Sequence, residues 1–235
     1  MARKKSLRIA NNLIAAVQPK DRVRILANCE RVELVFGDLL YETDQPIEYV
    51  YFPLVGFISM VATLEGHQPL EMGLIGSEGM LGATLALGID TAPMRAVVQG
   101  TGTALRMTEA DLIRELRDGP ALRRILGLYL YVLMAQLTQS AACTRFHEIE
   151  PRLARWLLLT HDRAHADHFH LTHEFLVDML GVRRSGVSIA AGALQSRKLI
   201  HYSRGEISIL NRRGLEAASC ECYDAMVQDY ATVLG

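Results

Sequence analysis

Residues 171–213 read LTHEFLVDMLGVRRSGVSIAAGALQSRKLIHYSRGEISILNRR, and this stretch decides the fold. Phe175, Leu176 and Met179 recur at helical spacing, and Val187, Ala191 and Leu194 do so again after a break. Thr172 stands where a helix N-cap belongs, since its hydroxyl can accept from a free N–H of the first turn. Between the two helices, Leu180-Gly181-Val182 supplies a tight turn, with Gly181 free to take a positive φ. Ile200/Tyr202 and Ile207/Ile209 then alternate on either side of Ser203-Arg204-Gly205, as two short strands of a β-ribbon do. Helix, turn, helix and ribbon make a winged helix-turn-helix, whose second helix fits a DNA major groove. Double-stranded DNA is therefore the first partner this pattern implies.

Charge placement points the same way. The whole chain carries a net charge of −1, which excludes a generally basic, sticky protein. Residues 183–213 nevertheless hold seven basic side chains (Arg183, Arg184, Arg197, Lys198, Arg204, Arg212, Arg213) against one acid, Glu206. Residues 25–118 hold five basic against fourteen acidic, a net of −9. Phosphate neutralisation dominates DNA affinity, so the local +6 is the informative quantity. The bland alternative is a solvated charged face on a core helix pair.

A chain of 235 residues suggests one or two domains and a sizeable core. Arg3, Lys4 and Lys5 are followed by amphipathic sequence instead of an apolar block, so no secretory leader is expected. No uninterrupted apolar run approaches the roughly 20 residues of a membrane helix, and no membrane partner is expected. Cys29, Cys143, Cys220 and Cys222 form no CxxC pair and no disulfide-framework spacing. A reduced, cytoplasmic setting follows as the expectation.

Residues 7–28 read as one amphipathic helix with a break at Pro19. Six short β-rich runs follow, at 31–35, 48–52, 56–63, 72–75, 95–99 and 102–107, separated by Gly, Pro or acidic turns. Without long helices between them, they suggest an antiparallel barrel or jelly roll. Thr108, with Asp111 three residues on, caps a short helix through Leu116. Residues 120–146 contain no acid, and Pro120 suits a first helical turn. Two apolar stripes run along this segment: Leu122/Leu126/Tyr129/Leu133/Leu137 and Ile125/Leu128/Val132/Ala135/Ala142. A helix so apolar all round needs two covers, here the barrel and a second copy of itself. Burial within one compact monomer is the alternative. Pro151 opens another helix over 152–161, with Leu153, Trp156, Leu157 and Leu158 beneath the helix-turn-helix.

Barrel, long helix and winged helix in this order resemble the Crp/Fnr (cyclic-AMP receptor protein/Fnr) family of bacterial transcription regulators. The resemblance spans roughly residues 13–215. Its strongest part is the run from Leu171 to Leu199, where Thr172, Glu174, Leu180-Gly181, Arg184, Val187 and Leu199-Ile200 fall at the family's spacing. Gly37-Asp38 and Ile75-Gly76 match in the barrel. The expected architecture is α+β, with three parts. A cyclic-nucleotide-binding-like effector domain covers 1–118, a dimerisation helix 119–147 and a winged helix-turn-helix 148–235. The resemblance implies a homodimer on a two-fold-related DNA operator, RNA polymerase as a further partner and a small-molecule effector sensed by the barrel. It implies no enzyme and no cofactor.

On the recognition helix, expected over 183–195, Arg184, Ser185, Ser188 and Ile189 lie opposite the apolar face. Arg can bond guanine bidentately, Ser can donate or accept, and Ile can touch a thymine methyl. Thr172, Arg183, Lys198 and Arg204 are the expected phosphate contacts. The family commonly has Arg then Glu at the first two reading positions. Here they are Arg184 and Ser185, so the family's usual operator does not carry over. Gly186 and Gly192 lie inside this helix at a cost of up to about 1 kcal/mol each against Ala.

The candidate effector pocket comprises Gly82, Ala83, Thr84, Arg95 and Thr138. Nucleotide-binding relatives present a Gly-Glu-Leu turn to the ribose and an Arg-Ser-Ala strand to the phosphate. This chain has Gly82-Ala83-Thr84 and Met94-Arg95-Ala96, so the ribose acceptor and the phosphate cation are both replaced. The relatives' adenine-contacting pair falls at Leu137 and Thr138. The barrel is thus expected to be degenerate and not to use cyclic AMP. Iron-sulfur sensing needs four spaced thiolates, and only Cys29 lies near the N-terminus. Cys220 and Cys222 read as incidental, because adjacent-but-one side chains on a helix diverge. His161, His165, His168, His170 and His173 read as a hydrated polar connector, and no metal site is assigned. Two rival functions remain: a small-molecule binding module whose winged helix contacts protein, and a metal-dependent enzyme using the histidines.

Overall fold

A computed structural model describes residues 11–234. Arg3, Lys4, Lys5 and the first residues of the helix expected over 7–28 lie outside them. That helix is two, α1 (Asn12–Ala16) and α2 (Pro19–Ala27). Gln18, extended ahead of Pro19, separates them, as a residue before proline should. Buried Asn11 caps α1 through its side-chain oxygen and donates from its amide to the carbonyls of Pro53 and Gly79.

Five antiparallel strands follow: β1 (Glu30–Leu34), β2 (Leu39–Tyr41), β3 (Tyr49–Ala62), β4 (Leu70–Ile75) and β5 (Arg95–Thr108). They form one sheet in the order β1-β5-β3-β4, with β2 also paired to β5. The runs expected at 48–52 and 56–63 are a single strand, as are those at 95–99 and 102–107. The glycines at the breaks between these runs are points of close approach. A Cβ on Gly56 would sit 2.2 Å from the Gly100 carbonyl oxygen, and one on Gly102 would sit 2.0 Å from that of Val55. The β3–β5 register shifts between Pro53 and Ile58, so the long pair bends there without ending. Val50, Phe52, Ile58, Val98 and Ala104 fill the concave side.

Thr108 caps α3 (Glu109–Asp118), accepting from the Asp111 N–H at 3.1 Å. The 27-residue α4 (Pro120–Phe146) then buries Leu122, Leu126 and Tyr129 against the barrel core. By length and composition α4 would suffice to cross a membrane. Packing accounts for much of that apolarity. Leu133 and Leu137 pack on the barrel too. A further face is covered by an element the sequence reading assigned wholly to the DNA-binding part: α9 (Cys222–Leu234), whose Tyr230 and Leu234 join the same core. Besides Arg123 and Arg124 near its start and Ala142, Thr144 and Phe146 near its end, what remains open on α4 is a line of Gly127, Tyr131, Met134, Thr138, Ala141 and Arg145. Its spacing alternates four and three residues, the period of a two-helix seam. The exposed stripe is therefore neither of the two expected ones, and Ala142 alone of those ten residues is exposed.

The second core lies under α5 (Ile149–Ala164), α6 (His173–Leu180), α7 (Arg184–Ser196) and α8 (Arg212–Ala218), with Leu153, Trp156, Leu157 and Leu158 buried. Helix α5 starts ahead of Pro151 and runs past His161, further than expected. It is followed by β6 (His168–His170), which pairs with β8 (Glu206–Ile209) beside β7 (Ile200–Ser203). The wing thus has three strands, one of them inside the stretch read as a hydrated connector. The histidines there do not form one cluster, though two of them share Glu206. His161 bonds Asp167 at 2.6 Å, His168 and His170 bond Glu206 at 2.8 and 2.6 Å, and His165 takes a positive φ at the end of α5.

Two carboxylates of the barrel hold α5. Glu78 accepts from Arg163 at 2.8 Å. Glu71 accepts from the Trp156 indole N–H and from the Ser59 hydroxyl, both at 2.7 Å. Burial pushes the Glu71 carboxyl up to about 7, against the opposing pull of those two hydrogen bonds and of Arg155 and Arg163. A folded-state value above the ordinary 4.5 means that the native state binds more protons between pH 4.5 and 7. Its stabilising contribution is complete below pH 4.5 and is lost as pH rises towards 7. The total is on the order of 3 kcal/mol. Urea midpoints at pH 5 and pH 8 should therefore differ less in Glu71→Gln than in the wild type. Equal pH dependence in the two proteins would contradict this.

Candidate nucleic-acid interface

The Thr172 hydroxyl accepts from the Phe175 N–H at 3.2 Å and so starts α6. Gly181 ends it in the left-handed region at φ 61°, and a Cβ there would meet Leu70 of the barrel at 2.7 Å. The left-handed turn is what favours glycine, and any Cβ there would also displace the end of the Leu70 side chain. Helix α7 starts at Arg184, one residue later than expected, because Arg183 is extended and acts as its N-cap. Val187, Ala190, Ala191 and Leu194 are buried, which fixes the rotation of the helix. At Gly186 a Cβ would lie 2.5 Å from Ile149 Cδ1 and would displace the end of that side chain. Nothing lies within 4 Å of the Cβ position of Gly192, and no packing reason for it exists.

That rotation turns Arg184, Ser185, Ser188 and Ile189 outward, with Ile189 73% exposed. The Ser188 hydroxyl donates to the Arg184 carbonyl at 3.1 Å, leaving its oxygen able to accept. Arg183 supplies no side-chain cap, so the first N–H groups of α7 face outward as an anion-binding end. Around this end stand the other expected contacts. Thr172, Arg183, Lys198 and Arg204 are all exposed. Lys198 (φ 57°) and Arg204 (φ 52°) occupy left-handed turn positions, Arg204 at the tip of the wing beside Gly205. Turn geometry thus holds these two cations forward.

Counting charge along the sequence overstated the cation supply. Arg197 bonds Glu150 at 2.7 Å, and Arg212 bonds Asp162 at 2.8 Å and Glu216 at 3.0 Å. The remaining five of the seven are exposed and, among the described residues, form no ion pair. The partner acids lie outside the 183–213 window or one helical turn on, where a composition count does not see the contact.

The N-terminal end of α7 also forms one wall of a cleft of about 1040 Å³. Arg183, Arg184 and Ser185 line that side, and Leu64, His67 and Leu70 of the β3–β4 hairpin line the other. Such a space holds a drug-sized molecule, not a duplex.

Inside the barrel, the candidate effector residues divide. Gly82, Ala83 and Thr84 line a cavity of about 40 Å³ with Met60, Met80 and Met94. Arg95 is outside it, with Nε 3.3 Å from Glu42. Thr138 lies on the open side of α4 and donates to the Met134 carbonyl at 2.9 Å. Strand alternation sends Arg95 away from Met94, and helix phase sends Thr138 away from Leu137. The cavity is about tenfold smaller than ordinary ligand sites and holds no charged side chain among its lining residues.

Residues 151–218 match the family described as the Crp-like helix-turn-helix domain. No curated protein sequence matches the chain. Among solved structures, FixK2 from Bradyrhizobium japonicum is 18% identical at a TM-score of 0.64, covering 82% of this chain and 98% of its own. CLP, a c-di-GMP-responsive global regulator from Xanthomonas campestris, is 18% identical at 0.66, over 82% and 99%. TTHA1359, a CRP/FNR-family transcriptional regulator from Thermus thermophilus, is 21% identical at 0.61, over 81% and 98%. At these identities the likeness establishes the fold.

Proposed function

We propose that this chain, whose residues 151–218 form a Crp-like helix-turn-helix domain beneath a CRP/FNR-type barrel and long helix, is a homodimeric, sequence-specific DNA-binding transcription regulator. One observation carries the reading. The outward face of α7 presents Arg184, Ser185, Ser188 and Ile189 together, ringed by cations without carboxylate partners. Arg184 reads guanine, Ser185 donates or accepts and Ser188 accepts at base edges, and Ile189 touches a thymine methyl. Thr172, Arg183, Lys198 and Arg204 set register on phosphates. Two copies meet along the open line of α4, which places two α7 helices on a two-fold-related site. Bound in this way, the protein acts in the cytoplasm, on RNA polymerase at the promoter.

A protein-docking winged helix would not need these cations free, and His161, His165, His168, His170 and His173 do not gather as one cluster for a histidine-based enzyme. The test is titration of mixed-sequence duplex DNA at two salt concentrations. Affinity should fall steeply with salt, with a log–log slope of about −0.9 per phosphate contact. A salt-independent affinity, or no binding, contradicts the reading.

Leu70 against Gly181 and Glu71 on Trp156 join the barrel to the helix-turn-helix, and these are the contacts an effector would shift. Cyclic AMP is not that effector. The barrel cavity is too small for a nucleotide, and neither Ala83 nor Met94 offers it a hydrogen bond or a charge. A site with Kd near 10 μM would raise stability by about 2.7 kcal/mol at 1 mM ligand. Millimolar cyclic AMP or cyclic GMP is expected to leave the melting curve unmoved and to give no heat in a calorimetric titration. Micromolar binding of either would overturn the degenerate-pocket reading.

A further inference from the structure

Cys143, His147, Cys220 and Cys222 meet at one point, their ligand atoms all within 4.8 Å of one another. In sequence they are two pairs more than seventy residues apart. Cys143 lies in the last turn of α4, and His147 is the residue that ends it. Cys220 precedes α9 and Cys222 begins it. The two thiols therefore do not share a regular helix, and the divergence expected of them does not occur. All three cysteines are buried.

We infer that these four side chains form a binding site for a divalent thiophilic cation, Zn²⁺ above all. A Zn²⁺ ion takes thiolates at about 2.3 Å and imidazole nitrogen at about 2.0–2.1 Å in a tetrahedron. The corresponding edges are about 3.8 Å between sulfurs and about 3.6 Å from sulfur to nitrogen. Cys143 Sγ and Cys220 Sγ are 3.6 Å apart, and Cys222 Sγ and His147 Nδ1 are 3.5 Å apart. Opposite edges of the tetrahedron are thus already at ligand spacing.

The surroundings have the chemistry of an outer shell. Glu221 lies 3.1 Å from His147 Nε2, which holds the proton there and leaves Nδ1 free to ligate. Gln139 donates an amide N–H to Cys222 Sγ at 3.0 Å, as a donor to a thiolate would. Three thiolates, a neutral imidazole and Zn²⁺ carry a net −1. Beside them, Arg152 and Arg155 are buried, and among the described residues neither forms an ion pair. Each has an Nε without a partner. Both feel the charge of these thiols electrostatically. A bound anionic centre supplies the missing counter-charge. Binding is deprotonation and coordination only: each thiol releases one proton to solvent, and no electron moves.

A Cys143–Cys220 disulfide is the competing use of the same atoms. It would leave Cys222 and the oriented His147 without a role, and would add no negative charge near the arginines. The ion instead ties the end of α4 to the start of α9, across the His147–Glu148 step that leads into α5.

The experiment uses the full chain, reduced and stripped with a chelator, titrated with Zn²⁺ alone and assayed by native mass spectrometry and by thiol labelling. One zinc per chain and protection of three of the four thiols are expected. Titration with Co²⁺ should give the visible absorption of tetrahedral cobalt–thiolate. Glu221→Gln changes a side chain that is 78% exposed, so it should fold, and it should lower zinc affinity about 10–100-fold. Cys29→Ser should change nothing. Failure of the folded wild type to take up zinc at micromolar concentration, or zinc uptake that leaves the three thiols open to labelling, overturns the proposal. So does iron with labile sulfide in place of zinc, or an unchanged affinity in Glu221→Gln.

Discussion

Met134→Asp is expected to turn the dimer into a monomer and to remove operator binding in the same step. Met134 is 58% exposed on the single chain, so the substitution leaves the monomer fold intact. In the proposed dimer it would lie in the middle of the open line on α4, close to the two-fold axis. An uncompensated buried charge costs about 3–5 kcal/mol, or roughly a hundred- to a thousand-fold or more in the association constant. Gly127 at one end of the line has no neighbour within 4 Å of its Cβ position and leaves room for a close approach. Sedimentation and DNA titration of the same preparation check the result, with circular dichroism as the control for folding. A variant that remains a dimer, or a wild type that is monomeric at micromolar concentration, would show that the seam is elsewhere. Leu133, on one of the two apolar stripes of the sequence, packs on the barrel core and would report on folding instead.

Arg184→Ala should cost about 1–3 kcal/mol in each half-site. The two sites of a dimer are far enough apart to add, giving about 2–6 kcal/mol in total. Preference should relax at one base pair per half-site and persist elsewhere. Arg204→Ala, at the wing tip, should instead weaken all sequences alike and flatten the salt slope by about one unit per protomer. Comparing sites selected by each variant distinguishes the roles. An unchanged motif for Arg184→Ala would mean that α7 is not the reading helix.

Where the determinants are local, the sequence was legible. Thr172, Gly181 and the 187/191/194 spacing each act within one or two turns, and they place the helix-turn-helix to within a residue. Met94 and Ala83 likewise told of an apolar barrel interior. Long-range determinants stayed hidden. Gly56, Gly100 and Gly102 mark apparent breaks between short runs until their strands are seen to cross at contact distance. Strand β6 has three residues and depends for its existence on β8, some forty positions away. The cover that α9 gives α4, the pairing of Arg197 with Glu150 and the meeting of Cys143 with Cys220 are all contacts between distant segments. Thr138 was misplaced for a different reason. It was carried over by alignment with relatives, and helix phase puts it on the open face.

The most direct test of the whole account is selection of bound duplexes from random DNA by the wild-type protein. Two inverted half-sites are expected, centred about one helical turn (roughly 34–36 Å) or a multiple of it apart, with a guanine in each that Arg184→Ala no longer requires. A selected pool without inverted symmetry, or no enrichment over the starting library, would contradict a dimer that reads DNA through α7.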